Sequence, residues 1–290
     1  MSTSESRHRM IGIAFVFAAV SVFAVMDTIA KYLSHDYSVL TVVWARYFYQ
    51  MVAMVIFLAP RMKLDLVRTH RPGIQLTRGA LLTASSLFFF SAIATMQLAE
   101  ASAITFIAPL LIALLAGPVL HERVPRASWI AIVAGLIGVQ FIIRPGSDVF
   151  SWSAILPVIT AICMAAYQLL TRRIAHTERA LTSLFYPALV GAAVLSLFLP
   201  FAGRWPDNLW HSSLMVVLGP LGGCGHFLLI RAFQYAPASI LAPFMYAQLV
   251  GALSLGYVAF GDFPDGWALL GMGIIVTSGV LLVTHQHRAG

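Results

Sequence analysis

The nine residues ATMQLAEAS, Ala94 to Ser102, return in altered form as RAFQYAPAS, Arg231 to Ser239. Gln97 and Gln234, Ala99 and Ala236, Ala101 and Ala238, and Ser102 and Ser239 fall in register at a spacing of 137 residues. Farther on, Pro125, Trp129 and Gly135 find counterparts in Pro264, Trp267 and Gly273 at spacings of 138 to 139. Upstream, Asp27-x-x-x-Lys31 roughly matches Gln168-x-x-x-Arg172. The chain reads as a tandem duplication, divided here as residues 1–147 and 148–290.

Composition says what the two copies are made of. Of 290 residues, 60% are hydrophobic and 10% charged, and the mean hydropathy is +0.86; soluble domains are about 45–50% apolar and about 25% charged. A helix that crosses the hydrocarbon layer needs about 20 mostly apolar residues, so ten of them use about 200 and leave about 90 for all loops and tails. No sizeable domain outside the membrane fits. Apolar runs between turn residues place ten helices at 10–33, 38–59, 74–97, 102–120, 127–143, 151–171, 180–200, 211–232, 238–260 and 266–284. The first follows Arg7 and Arg9 but is longer than the roughly 7–15-residue core of a signal peptide, and reads as a retained helix. The two cysteines, Cys163 and Cys224, both lie in apolar runs and form neither a disulfide framework nor a metal-ligand pair.

The net charge of +7 is a matter of placement. With the N-terminus inside, that side holds Arg7, Arg9, Arg61, Lys63, Arg68, Arg71, Arg78, Arg123, Arg126, Arg172, Arg173, Arg179, Arg231 and Arg288, against Lys31, Arg144 and Arg204 outside. Cytoplasmic loops retain the excess of Lys and Arg, so both termini are expected in the cytoplasm. The same distribution removes nucleic acid as a partner. Five spans per copy force the second copy into the membrane upside down. The loop after span four carries Arg123 and Arg126 while its counterpart after span nine carries Asp262 and Asp265, the charge swap that inversion requires. The expected fold is an all-α integral membrane protein of ten transmembrane helices, built as two inverted five-helix repeats. That architecture is common among secondary transporters, whose substrate sites lie near the bilayer midplane between the repeats.

Charges inside spans need a reason, because each costs about 2.5–3.5 kcal/mol at a helix centre even on the lenient insertion scale. Asp27 lies about six residues, roughly 9 Å, from the end of span one, and Arg46 about eight residues, roughly 12 Å, into span two. Lys31 shares a face with Asp27, so the carboxylate has two bases to choose from. Asp27 and Arg46 are either a charge cluster for a zwitterionic or anionic substrate or a coupling proton, or a neutralised bridge that locks the first hairpin. The region of the second copy around Tyr186 has no base to match Arg46, and Gln168 stands where the first copy has Asp27. His226, deep in span eight, is open to a packing role or a proton relay; it has no neighbouring ligand to make a metal site.

Pro109 and Pro243 fall in corresponding spans, and paired helix interruptions are the best sequence pointer to a transporter's site. Tyr47, Tyr167 and Tyr246 sit within spans, where a buried hydroxyl needs a partner. Trp129, Trp152, Trp205, Trp210 and Trp267 lie at span ends, as interfacial anchors do. The candidate substrate contacts are Asp27, Arg46, Tyr47, Pro109, Tyr167, Gln168, Pro243 and Tyr246, with Asp27 and His226 as candidates for proton coupling.

These residues resemble the EamA-type members of the drug/metabolite transporter superfamily. The resemblance covers nearly the whole chain. It rests on Asp27-Thr-Ile-Ala-Lys31 followed by Arg46, on Ala101 to Pro109 leading into His121-Glu122-Arg123, and on Ala238 to Tyr246 leading into Phe260-Gly-Asp262-Phe-Pro264. The family usually has a glutamate where this chain has Asp262. The resemblance implies a carrier of the cytoplasmic membrane with a central cavity that opens alternately to each side. Its members move amino acids, riboflavin, S-adenosylmethionine and opine-type metallophores. No phosphate-cradling Gly-rich Lys motif is present, so the energy source is a gradient, and no cofactor or metal is called for. The expected function is secondary transport of a small polar metabolite, of amino-acid, opine or vitamin type, in the cell inner membrane, by a monomer or homodimer. The alternative, an intramembrane enzyme acting on a lipid-linked substrate, calls for clustered carboxylates, histidines or a metal near one face. A channel calls for polar rings that these spans lack.

Overall fold

The computed structural model describes residues 3–120, 126–144, 151–174, 177–201, 205–236, 241 and 244–289, and the regular structure among them is entirely helical. In chain order the helices are α1 (Thr3–Leu33), α2 (Val39–Met62), α3 (Pro72–Ile93), α4 (Leu98–Thr105), α5 (Ala108–Leu120), α6 (Arg126–Ile143), α7 (Ile155–Ile174), α8 (Ala180–Phe198), α9 (Leu209–Tyr235), α10 (Ala247–Phe260) and α11 (Gly266–Ala289). Six helical segments among the described residues are long and apolar enough to cross a membrane: Arg7–Leu33, Val39–Leu66, Pro72–Ile93, Trp152–Ile174, Ala180–Phe201 and Leu209–Tyr235. Four apolar segments are shorter: Leu98–Ile112, Trp129–Ile143, Ala247–Phe260 and Gly266–Leu281. An apolar helix suits a bilayer because it satisfies its backbone hydrogen bonds internally.

Local chemistry sets the ends. Ser38 Oγ accepts the Thr41 N–H at the start of α2, and Asn208 Oδ1 accepts the His211 N–H at the start of α9. Pro72 opens α3 in the first turn, where its missing N–H needs no partner. Gly261, at φ +72°, ends α10 in the left-handed conformation that glycine adopts freely.

The largest departure from the sequence reading is in the predicted fourth span. Ala99 and Glu100, expected in a break, lie inside α4, because the chain turns earlier, at 94–97, where Gln97 is extended (ψ 138°). The same span is then interrupted at Phe106 and Ile107. Pro109 is the second residue of α5 and so starts a helix instead of kinking one. In the corresponding region of the second half, α10 begins after a turn at Tyr246. Pro243 and the 121–125 loop with Arg123 lie outside the described residues.

Packing brings the halves together. Helix α1 lies along α9, and α7 along α3; α2 packs on α9, and α8 on α3; α2 meets α8, and α6 meets α11. The central core joins Met26 and Leu33 of α1, Tyr47 of α2, Phe90 of α3 and Leu218 of α9. A second core joins Ile104, Leu110, Ile132 and Val139 to Met272 and Ile275 of α11. Large apolar side chains such as Phe57, Ile130, Leu197 and Val258 are exposed around the outside, far more than a water-facing surface carries in contiguous patches. The five tryptophans expected at interfaces are likewise exposed.

Candidate functional site

Polar residues gather where α1, α2, α3, α9 and α10 meet. Arg46 is 6% exposed, although seven residues of α2 precede it. One terminal nitrogen donates to Ser86 Oγ of α3, and the guanidinium lies against the rings of Tyr47 (5.0 Å) and Phe90 (5.7 Å). Tyr47 OH is fixed in turn by Leu82 O at 2.9 Å and Ser86 Oγ at 2.7 Å. Arg46 Nε has no hydrogen-bond partner among the described residues, and neither has Gln50 Oε1, one helical turn along the same face. Both look toward Gly222 of α9, where a Cβ would stand 3.2 Å from Gln50 Oε1 and 3.4 Å from Arg46 Nε. The bare backbone there keeps space in front of an unused donor and an unused acceptor. A buried polar group without a partner costs about 1–3 kcal/mol, more when charged, which sets this edge apart from the satisfied polar groups around it.

Asp27 is 5% exposed and forms no ion pair among the described residues, with Arg46 or with Lys31. Its Oδ2 accepts from Gln248 Nε2 of α10 at 3.3 Å. The neutralised first-hairpin bridge left open by the sequence is therefore not what the structure contains. Lys31 turns instead to Asp262, just beyond α10, at 2.5 Å, donates to Met96 O at 2.9 Å and lies over the Phe260 ring at 4.9 Å. Nearby, Arg144 pairs with Asp265 at 2.7 Å. The Asp265 carboxyl is held below its ordinary range, first by the Ala268 N–H that it caps and then by Arg144. These contacts tie the end of α1 to the loop before α11. Asp262→Lys would set a second cation against the buried Lys31, so a loss of about 3 kcal/mol is expected, the low end for breaking a buried pair because Asp262 is partly exposed. Thermal unfolding in detergent checks this, with recovery expected in the Lys31→Asp/Asp262→Lys double variant.

The other sequence candidates divide. Tyr246 is buried, its ring 5.0 Å from that of Phe106, and its hydroxyl has no partner among the described residues. Tyr167 sits apart, with Arg78 at the α3–α7 contact. Gln168 is exposed and makes none of the contacts of the buried cluster, in contrast to its repeat counterpart Asp27; consecutive helical residues face about 100° apart, and it is Tyr167 that α7 turns toward α3. His226 presents its ring edge-on to Phe23 at 5.0 Å and has no hydrogen bond to a carboxylate among the described residues. No group of three His, Cys, Asp or Glu able to hold a metal ion occurs among the described residues.

Four participants escaped the sequence reading: Gln50, Ser86, Gln248 and Arg78. Gln50 is detectable as the i+4 neighbour of Arg46 on one helix face. Gln75, Arg78, Ser85 and Ser86 recur at helical spacing in an otherwise apolar span, which marks a buried polar stripe. Arg78, which the sequence places among the cytoplasmic loop cations, is 1% exposed and lies inside α3.

A family model described as the EamA-like transporter family matches the chain twice, at residues 10–144 and 151–284. The chain belongs to this family. Among relatives of this EamA-like transporter, the S-adenosylmethionine uptake transporter of Rickettsia bellii is 26% identical over 281 residues, covering 96% of this chain and 95% of its own. The riboflavin transporter of Rhizobium johnstonii is 27% identical over 290 residues, covering 98% and 94%. The pseudopaline exporter of Pseudomonas aeruginosa is 25% identical over 274 residues, covering 93% and 95%. A crystal structure covering 96% of this chain and 98% of that one superposes with a TM-score of 0.66 at 21% identity, a likeness of fold. Family, relatives and apolar helices together make this a multi-pass membrane protein and a transporter of small metabolites.

Proposed function

We propose that this EamA-like transporter is a secondary carrier of the cell inner membrane that moves a small polar metabolite, of amino-acid, opine or vitamin type, by alternating access. Its substrate site is the cluster around Asp27, Arg46, Tyr47 and Tyr246. The observation that carries this reading is Arg46: a buried guanidinium in no ion pair among the described residues, its Nε without a partner there, beside a likewise unpartnered Gln50 Oε1 and opposite the bare backbone of Gly222. A guanidinium keeps its charge at any physiological pH, so its counter-ion is expected to arrive with the substrate. Asp27, held by the neutral Gln248 instead of by a base, is available to a cationic group of the same molecule or to a proton.

Ten spans in two inverted repeats, with both termini cytoplasmic, complete the proposal. Exchange of the halves maps the α1–α9 contact onto α7–α3 and the α2–α9 contact onto α8–α3, while α2–α8 and α6–α11 map onto themselves. That pattern, the two family matches and the interruptions at Phe106–Ile107 and Tyr246 support the symmetry. Broken helices at matched positions are where transporters of inverted-repeat design place their sites.

The reading is tested by metabolite profiling of cells and medium with and without the gene, followed by isotope flux of the leading compound in proteoliposomes. Transport independent of ATP is expected. Asp27→Asn is expected to lower that flux about tenfold and to remove its response to a collapsed pH gradient. Flux unchanged in this variant would remove Asp27 from the site; flux indifferent to the gradient in the wild type would remove proton coupling.

A further inference from the structure

Arg78 is a second buried guanidinium at another depth, and unlike Arg46 it donates hydrogen bonds from all three of its nitrogens. It lies six residues, roughly 9 Å, inside α3 from Pro72 and eight residues, roughly 12 Å, along the same helix from Ser86. Its Nε donates to Thr171 Oγ1 at 2.8 Å, one terminal nitrogen to Gln75 Oε1 at 2.5 Å, and the other to Tyr167 OH at 3.4 Å, with the Tyr167 ring 4.9 Å below the guanidinium. All three acceptors are neutral, and Arg78 forms no ion pair among the described residues. The neighbouring carboxylate, Glu178, stands beyond Gln75, whose Nε2 lies 3.5 Å from one oxygen, and its other oxygen accepts the His70 N–H at 2.9 Å.

A buried guanidinium carries five donors and cannot shed its proton. Leaving it among neutral acceptors in an apolar span is costly. Between the two arginines α3 presents Thr83, Ser85 and Ser86, with Thr160 of α7 donating to Ser85 O at 3.4 Å. The helix bundle thus holds two buried guanidiniums, connected along α3 by buried hydroxyls and neither in an ion pair among the described residues.

Building on the transport reading above, we propose that Arg78 is a second anion station, on the cytoplasmic half of the pathway, and that the transported metabolite carries a carboxylate which passes between Arg46 and Arg78. The Tyr167 bond, the longest of the three, marks the edge of the guanidinium that the carboxylate takes; Thr171 and Gln75 hold the remainder in place.

The test is untargeted metabolite profiling of cells lacking the gene and cells carrying wild type, Arg78→Gln or Arg78→Lys. Flux of the responding metabolite is then measured in phosphatidylcholine proteoliposomes with and without phosphatidylglycerol. The metabolites that respond to the wild type are expected to carry a carboxylate. Arg78→Gln is expected to raise the cytoplasmic-side KM tenfold or more with an unfolding midpoint close to the wild type, and Arg78→Lys to recover part of the loss. Responding metabolites without an acidic group, or an unchanged KM in Arg78→Gln, would overturn the proposal while leaving transport itself intact. A loss of folding in Arg78→Gln together with wild-type KM in Arg78→Lys and Tyr167→Phe would show a structural bolt instead. An effect seen only with phosphatidylglycerol would assign Arg78 to a lipid headgroup. If no metabolite responds to the wild type, the transport reading fails and this proposal with it.

Discussion

Arg46→Ala is expected to reduce flux of the cognate metabolite by about two orders of magnitude, with the protein still folded. The size follows from what the guanidinium does. Removing one partner of a desolvated, hydrogen-bonded charge pair costs about 2–5 kcal/mol, and about 1.4 kcal/mol corresponds to a factor of ten in affinity. Folding should survive because the same change removes a buried donor that has no partner among the described residues, which offsets the loss of the Ser86 bond and the contacts with Tyr47 and Phe90. Arg46→Lys keeps the charge but loses the planar fork, so it cannot hold Ser86 and present a free N–H edge toward Gly222 together; an intermediate flux is expected. Flux in proteoliposomes, normalised to the amount of monodisperse protein, is the measurement. Wild-type flux in Arg46→Ala would place the substrate elsewhere.

Gly219→Leu is expected to act on the fold instead, by about 3 kcal/mol, the upper end of what overpacking costs. At Gly219 the α9 backbone touches the backbone of α2 at Tyr49 and Gln50, and even a Cβ would run into main-chain atoms that cannot rotate away. Small residues let membrane helices approach this closely, and the gain is packing, since lipid already satisfies apolar side chains. Pushing α2 from α9 would also move Arg46 and Gln50 off their station opposite Gly222. The expected result is a small monodisperse fraction in size-exclusion chromatography and a lowered unfolding midpoint. A normal midpoint with normal flux would mean that α2 and α9 do not meet at this point. Gly222→Ala is the contrasting variant: there a Cβ meets only side-chain atoms at 3.2–3.5 Å, so folding should hold while the space beside Arg46 is lost.

The legible part of this protein is the part its solvent dictates. Long apolar runs such as those of α1, α8 and α9 declare helices because a bilayer offers the backbone no other partner. Asp27 and Arg46 stood out for the complementary reason, that charge inside such a run is expensive. Arg78 was missed because an arginine near a span end ordinarily reaches the interface, and only the packing of α3 on α7 reveals that this one turns inward to Tyr167 and Thr171. Gln168 matches Asp27 only roughly in the repeat, and the two differ in surroundings, Gln168 being exposed on α7 and Asp27 buried on α1.

Membrane insertion, the helical class and the existence of buried charge can be read along the chain alone, because each is a local demand met within some twenty residues. The tertiary structure decided which charges are partners. Lys31 passes over Asp27, four residues away, for Asp262, 231 residues on; Asp27 takes Gln248, and Arg46 keeps a free edge toward Gly222. Pairing in a low-dielectric interior depends on which helix faces meet within a few ångströms, and that is settled by the packing of distant segments.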